Sequence, residues 1–185
     1  MERTEWLTRL CADNDAARAP TTPFSVNLGG DYYTLATDRF ALVVVLADPT
    51  SIFLLNTNAC EKKVIRIAQT MQKNSTEVGM LDALLLKELV GEPQWGPEHM
   101  KTLLAPKCSI RIRETHYAIP VLARLLAGWD DPLARVYQAP IIAKDNAPAL
   151  LLTTQGMVLI CAPVRLRNGG HIAETELPAG TLMEK

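Results

Sequence analysis

Residues 24–46, FSVNLGGDYYTLATDRFALVVVL, establish the fold class of this chain. Apolar and polar residues alternate from Phe24 to Leu28, which is the period of a strand with one buried face. Gly29-Gly30 supplies a tight turn, and a second strand is predicted at Tyr32–Ala36. The nearly continuous apolar run from Phe40 to Leu46 predicts a third strand. Three consecutive strands joined by short connections indicate an antiparallel meander.

Further helices and strands are predicted on both sides of this meander. Helices are predicted at residues 3–14, 60–73, 81–90 and 119–127. Strands are predicted at 51–55, 109–113, 133–139, 150–154 and 157–162, with Gln155-Gly156 as the last hairpin turn. Residues 91–108 are expected to be irregular, and residues 167–185 to form a loose tail. This order predicts an α+β fold, with helices packed on one face of an antiparallel sheet and a mostly helical insertion.

The composition is that of an ordinary globular protein. The chain has 185 residues, of which 48% are hydrophobic and 21% are charged, and its formal net charge is −1. That balance excludes a strongly basic, histone-like protein, but it is compatible with a local basic face.

The N-terminus shows no secretory signal, and the longest apolar run is far too short to span a bilayer. We therefore expect a cytoplasmic protein that makes no membrane contact. Four cysteines are present without Cys-x-x-Cys spacing, so we expect reduced, unbridged thiols and no zinc. They are Cys11, Cys60, Cys108 and Cys161.

Motifs for catalysis are missing from the sequence. Gly-x-Ser-x-Gly, phosphate-loop and His-Glu-x-x-His patterns do not occur, and the histidines lie at unrelated positions, His99, His116 and His171. Asp130-Asp131 precedes a proline and is typical of a turn rather than of a cation site. We therefore expect no enzymatic activity and no cofactor.

Basic residues carry the strongest functional indication. Lys62, Lys63, Arg66 and Lys73 share one predicted helix, with Glu61 as the acidic residue beside them. Lysines and arginines at helical spacing can follow the phosphates of a duplex without reading its bases. The alternative is an ordinary solvated helix face, which charge alone favours.

Two parts of the chain resemble one protein family. Tyr33–Leu42, YTLATDRFAL, resembles the alanine-threonine-aspartate motif of the bacterial DNA polymerase III beta sliding clamp. Residues 117–126 resemble a helix of that clamp, and the hairpin that ends in Pro163–Leu166 resembles its C-terminal hairpin. The family usually has Gly-His between the aspartate and the arginine of the motif, whereas Asp38 precedes Arg39 directly here.

The resemblance implies a clamp-like domain formed by residues 1–56 and 109–166, with a helical insertion at 57–108 and the tail at 167–185. In such a module the helices at 3–14 and 118–127 would face duplex DNA. Closing a ring of one-module subunits would take about six copies. The resemblance and the basic residues together predict a set of DNA-binding residues: Arg9, Lys62, Lys63, Arg66 and Arg124.

Two functions therefore remain open. The first is a sliding-clamp-like processivity or tethering factor that oligomerises around duplex DNA without sequence specificity and serves a DNA polymerase or another replication protein. The second is a clamp-fold adaptor that binds a protein partner without encircling DNA. A phage or mobile-element origin would suit either function.

Overall fold

The computed structural model describes residues 1–14, 19–47, 59–140, 147–164 and 171–185. The strand predicted at 51–55 lies outside these residues. The helices are α1 (Arg3–Ala12), α2 (Ala59–Lys73), α3 (Ala83–Val90), α4 (Met100–Leu104) and α5 (Ile119–Leu126). The strands are β1 (Phe24–Leu28), β2 (Asp31–Thr37), β3 (Ala41–Leu46), β4 (Thr76–Asp82), β5 (Cys108–Ile112), β6 (Thr115–Ala118), β7 (Leu133–Pro140), β8 (Pro148–Thr154), β9 (Met157–Cys161), β10 (Ala173–Thr175) and β11 (Leu182–Glu184).

The strands form two sheets. The larger sheet has eight strands in the order β1-β2-β3-β9-β8-β7-β4-β11, and each neighbouring pair is antiparallel. The smaller sheet has the order β10-β5-β6, and its β10–β5 pair is parallel. The predicted α+β class with an antiparallel sheet is therefore confirmed.

The meander predicted from residues 24–46 is present. Leu28 pairs with Asp31 across Gly29 and Gly30, whose φ angles of 68° and 102° are easily adopted only by glycine. The last hairpin is also as predicted, with Thr154 paired to Met157 across Gln155-Gly156. Both turns place consecutive strands side by side, which fixes the antiparallel order locally.

The larger sheet buries apolar side chains on both faces. One face packs against α1, α3, α4 and α5, and its core includes Trp6, Leu86, Leu122 and Val136. The opposite face carries Phe24, Leu42 and Ile160 and is covered in part by α2. The helices at 3–14 and 119–127 thus share one face as predicted, together with α3 and α4, while α2 lies on the other.

The helix predicted at 81–90 begins later, at Ala83. Asp82 caps it by accepting hydrogen bonds from the N–H groups of Leu84 and Leu85, both at 3.0 Å. Residues 76–82 form β4 instead, which pairs with β7 inside the larger sheet. The register shifts between Glu77 and Gly79, and this bulge breaks the alternation by which a strand is recognised in sequence.

Other differences concern segments expected to be irregular. A turn of 3-10 helix at Pro97–His99 leads into α4, within the predicted irregular stretch 91–108. The expectation of a loose tail is wrong for β10 and β11. Strand β10 belongs to the smaller sheet, and β11 belongs to the larger one. Three-residue strands carry too little periodicity to be recognised without their partners.

Candidate nucleic-acid interface and the adjoining cleft

A straight cationic stripe runs along the exposed face of α2. Lys62, Arg66, Gln69 and Lys73 are exposed and follow the spacing i, i+4, i+7, i+11, which puts them on one side of a helix. At 1.5 Å per residue the stripe is roughly 17 Å long. Within the described part of the chain, no ion pair engages its three cations. We call these four residues the α2 stripe.

The helix folds in this orientation because its opposite face is apolar. Ala68 and Met71 are buried against the sheet, and Val64 and Ile65 pack beside them. Glu61, the acidic residue of the first turn, is buried as well and lies on that inner side. The side of α2 that carries the α2 stripe is therefore left to lysine, arginine and glutamine.

Lys63, a further predicted residue, lies away from the α2 stripe. It is exposed, but it lines a cleft of about 650 Å³ between α2 and the sheet. The cleft walls are mainly apolar, with Phe40, Leu42 and Ile67 among them. Among the described residues of this lining, Arg39 is the second one that is charged and exposed. An apolar cleft of this size with two cations is typical of a site that binds apolar groups beside an anionic one.

The cleft wall contains the turn whose sequence resembles the clamp motif. Asp38 Oδ1 accepts hydrogen bonds from the N–H groups of Phe40 (3.0 Å) and Ala41 (2.7 Å). Arg39 has a φ of 77°, a left-handed conformation that costs free energy for a residue with a Cβ atom. Asp38 therefore holds a strained turn that presents Arg39 and Phe40 to the cleft.

Arg124, predicted to contact DNA, is not available for that role. Its side chain is 1% exposed, because the 95–100 segment covers it: the guanidinium lies 4.8 Å from the ring centroid of Trp95. Arg124 Nε is 3.6 Å from Asp38 Oδ2, and Nη2 is 3.9 Å from Asp13 Oδ2. A buried arginine with two carboxylate partners cannot reach a phosphate, so the structure corrects this expectation.

Arg9 is exposed on α1, but its charge is balanced nearby. Its Nη2 atom lies 2.7 Å from Glu5 Oε1, one helical turn earlier. Helix α5, the other helix expected to face DNA, is mostly buried under α3 and α4. Of the five predicted residues, the structure thus brings Lys62 and Arg66 together on an open surface.

The smaller sheet carries a polar cluster that no sequence pattern indicated. Ser109 Oγ lies 3.1 Å from His116 Nδ1, and His116 Nε2 lies 3.6 Å from Glu174 Oε2. Arg111 Nε also contacts Glu174, at 3.2 Å. Although serine, histidine and carboxylate meet here, Ser109 is fully buried and no substrate can reach its hydroxyl. The cluster attaches β10 to β5.

The remaining chemistry is sparse. All four cysteines are unbridged, and Cys11 and Cys161 are buried. Among the described residues, no three His, Cys, Asp or Glu side chains are grouped closely enough to hold a metal ion. No helix of the described ranges has the length and apolar character to cross a membrane.

No family model matches this chain, and no curated protein matches it. Its fold is similar to solved bacterial sliding clamps. For the beta sliding clamp of C. crescentus the TM-score is 0.44 at 14% identity, covering 88% of this chain and 64% of that one. For the DNA polymerase sliding clamp of Pseudomonas aeruginosa the TM-score is 0.46 at 11% identity, covering 88% of this chain and 65% of that one. For the DNA polymerase III beta chain of Streptococcus pneumoniae the TM-score is 0.44 at 7% identity, covering 89% of this chain and 63% of that one.

The similarity concerns the arrangement of the backbone. The chain spans less than two thirds of the length of each of these clamps.

Proposed function

We propose that this protein is a non-catalytic tethering factor that binds the phosphate backbone of duplex DNA through the α2 stripe and oligomerises around it. The observation that carries the proposal is the stripe itself, which places Lys62, Arg66 and Lys73 in line on an exposed helix face. The function needs no nucleophile or metal, and it would serve a DNA polymerase or another replication protein.

The stripe suits phosphates rather than bases. Its length of roughly 17 Å corresponds to about five nucleotides along one strand, at 3.4 Å each. Flexible lysines on a helix that lies across a groove contact backbone oxygens and carry no sequence information. Binding is therefore independent of sequence, as a protein that moves along DNA requires.

A single copy binds weakly. Three cations give few phosphate contacts, and the net charge of −1 provides no long-range attraction. Several copies joined around one duplex multiply these contacts, because each later contact is intramolecular. We therefore expect retention on DNA to depend on the oligomer.

The test compares two variants with the same change in charge. K62E/R66E/K73E alters the α2 stripe, and R3E/K101E/K107E alters exposed cations elsewhere. Retention on duplex DNA is measured by a filter assay at about 50 mM salt, where phosphate contacts are strong. The stripe variant should lose binding and the control should keep it, with circular dichroism confirming that both fold. Equal binding by both variants would overturn the proposal.

The cleft favours a second candidate function, an adaptor that binds a protein partner without encircling DNA. Its apolar walls and the exposed cations Arg39 and Lys63 suit a short segment with apolar and acidic residues. Peptides selected from a display library on the wild type should combine these residue types and lose affinity for R39E/I67E. Peptides of random composition, or peptides that bind the variant equally well, would rule out this candidate.

A further inference from the structure

Residues 91–99, which we call the cover, lie over Arg124 on the face of the larger sheet that packs against α1, α3, α4 and α5. The cover connects α3 to α4 and ends in the turn of 3-10 helix. Its Trp95 ring lies 4.8 Å from the guanidinium of Arg124, and Gly96 N–H donates to Asp13 Oδ2 at 3.1 Å. Asp13 is itself a carboxylate partner of Arg124. The cover therefore holds this arginine both directly and through Asp13.

The cover is attached by few contacts. Beyond the two helices that it connects, its bond from Gly96 to Asp13 is the one hydrogen bond that it makes to the described part of the chain. Two cavities, of about 180 and 430 Å³, are lined in part by Glu92 of the cover. Trp95 is partly buried. Segments with few buried contacts open more readily than the core does.

Arg124 is not fixed in place by strong hydrogen bonds of its own. Its Nε and Nη2 atoms have no hydrogen-bond partner among the described residues, and Nη1 makes a long contact of 4.0 Å to Met100 Sδ. A buried arginine is ordinarily held by several of its N–H donors. Here the ring of Trp95 and the charges of Asp13 and Asp38 position the guanidinium. Removal of the ring would therefore allow it to shift.

Asp38 connects Arg124 to the wall of the cleft. Its Oδ1 atom is held by the N–H groups of Phe40 and Ala41, whereas its buried Oδ2 atom faces Arg124. If the guanidinium shifts away, Oδ2 becomes an unpaired buried charge, which favours a turn that opens to water. The φ of 77° at Arg39 is strained and relaxes when this support is lost.

We propose that the cover controls the shape of the cleft on the opposite face of the sheet, with Arg124 as the positioning residue that connects them. While Trp95 lies on the guanidinium, the turn presents Arg39 and Phe40 to the cleft. When the cover lifts, the turn relaxes and the cleft opens. By reciprocity, an occupant of the cleft stabilises the cover. The inference rests on the cleft of the adaptor function but not on what occupies it.

A thiol of the chain reports on the cleft without any ligand. Cys60 lines the cleft and is partly exposed, and it belongs to α2, on the face of the sheet away from the cover. Cys108 is also partly exposed, whereas Cys11 and Cys161 are buried. On a C108S background, the rate of labelling by a thiol reagent therefore measures access to Cys60.

Four variants on this background test the connection. W95L and W95F form a matched pair, because both remove the indole and keep an apolar side chain, but only phenylalanine offers a π face to the guanidinium. D38N/W95L, compared with D38N, removes the charge through which Arg124 acts. V90A truncates a buried side chain of α3 and controls for a general loss of stability. Circular dichroism confirms that each variant is folded under the labelling conditions.

We expect W95L to label Cys60 at least fivefold faster than the C108S parent, and W95F and V90A to stay within twofold of it. D38N/W95L should stay within twofold of D38N, because the connection is already broken there. Equal rates in W95L and W95F would overturn the inference. The same acceleration by W95L on the D38N background, or an equal acceleration in V90A, would overturn it as well.

A second measurement works in the opposite direction and keeps the sequence of the cover intact. In protein that contains 5-fluorotryptophan, D38N should shift the ¹⁹F resonance of Trp95 and leave that of Trp129 unchanged. An unchanged Trp95 resonance would overturn the inference even if W95L does not fold. Neither measurement uses DNA or a peptide, so both outcomes are independent of the α2 stripe and of any partner of the cleft.

Discussion

Arg124 Nε lies 3.6 Å from Asp38 Oδ2, and both side chains are 1% exposed. The contact joins α5 to the turn that forms one wall of the cleft. Asp38 Oδ2 and Arg124 Nε have no hydrogen-bond partner among the described residues. The two groups therefore interact as an ion pair without a hydrogen bond between these atoms. The arginine that the sequence suggested for DNA thus supports the turn that presents Arg39.

Replacing Arg124 should destabilise the fold strongly. R124M leaves the buried carboxylate of Asp38 without its guanidinium, and breaking such a pair costs about 3–5 kcal/mol. The double variant D38N/R124M should recover much of this loss, because the amide side chain that replaces the carboxylate is uncharged and keeps an oxygen for the N–H groups of Phe40 and Ala41. Denaturant unfolding measures both free energies. Equal losses in the single and double variants would contradict the pairing.

The effect of R124M should also depend on pH. Burial raises the pKa of Asp38, while Arg124 and the N–H groups of Phe40 and Ala41 act in the opposite direction. A raised pKa means that the unfolded chain releases this proton first, so the free energy of unfolding falls as pH rises between the two pKa values. Without Arg124 the pKa of Asp38 in the folded protein is raised further, so the pH range over which stability falls is wider. The deficit of R124M against wild type should therefore be smaller at about pH 4 than at about pH 7.

The α2 stripe makes a quantitative prediction for salt. Each phosphate contact that is removed lowers the slope of log affinity against log salt by about 0.9. For R66Q and K73Q, measured separately, we expect a decrease of about one unit each, with no change of preference between duplex sequences. Fluorescence anisotropy at several salt concentrations measures the slope. A decrease confined to one duplex sequence would contradict backbone binding.

Gly128 should not tolerate a side chain. A Cβ atom there would lie 2.2 Å from Cδ2 and Cε3 of Trp6, whose indole N–H donates to Arg124 O at 2.8 Å. Trp6 is fully buried and cannot move without breaking this bond. We expect G128A to cost about 1–3 kcal/mol, as overpacking a core does. A thermal unfolding midpoint of G128A equal to that of the wild type would contradict this prediction, because it would mean that α1 can shift to make room for the methyl group.

Two of the four thiols should react with a thiol reagent in the folded protein, and two should not. Burial raises the pKa of Cys11 to about 12 and also raises the pKa of Cys161. Cys60 and Cys108 are partly exposed. A thiol reagent near neutral pH should therefore modify two thiols in the folded protein and four after unfolding. The reaction requires that the thiol be deprotonated and that the reagent reach its sulfur atom. Rapid reaction of all four thiols in the folded state would contradict the burial of Cys11 and Cys161.

Local structure could be predicted from the sequence alone. Alternation and glycine turns specified the meander from Phe24 to Leu46 and the last hairpin, because period and turn chemistry act over a few residues. Helical spacing also placed Lys62, Arg66 and Lys73 on one side of α2, since the apolar face of that helix has to be buried. The basic surface was therefore predictable without knowing what lies beneath it.

What covers each element follows only from tertiary packing. Arg124 has the spacing of an exposed residue on a short helix, but Trp95 and the carboxylates of Asp13 and Asp38 enclose it. Lys63 faces the cleft because the β2–β3 turn lies beside α2. Strand β11 exists because β4 offers it an edge with a glycine at the point of closest approach. Each of these contacts joins residues far apart in the chain, and periodicity carries no information about such partners.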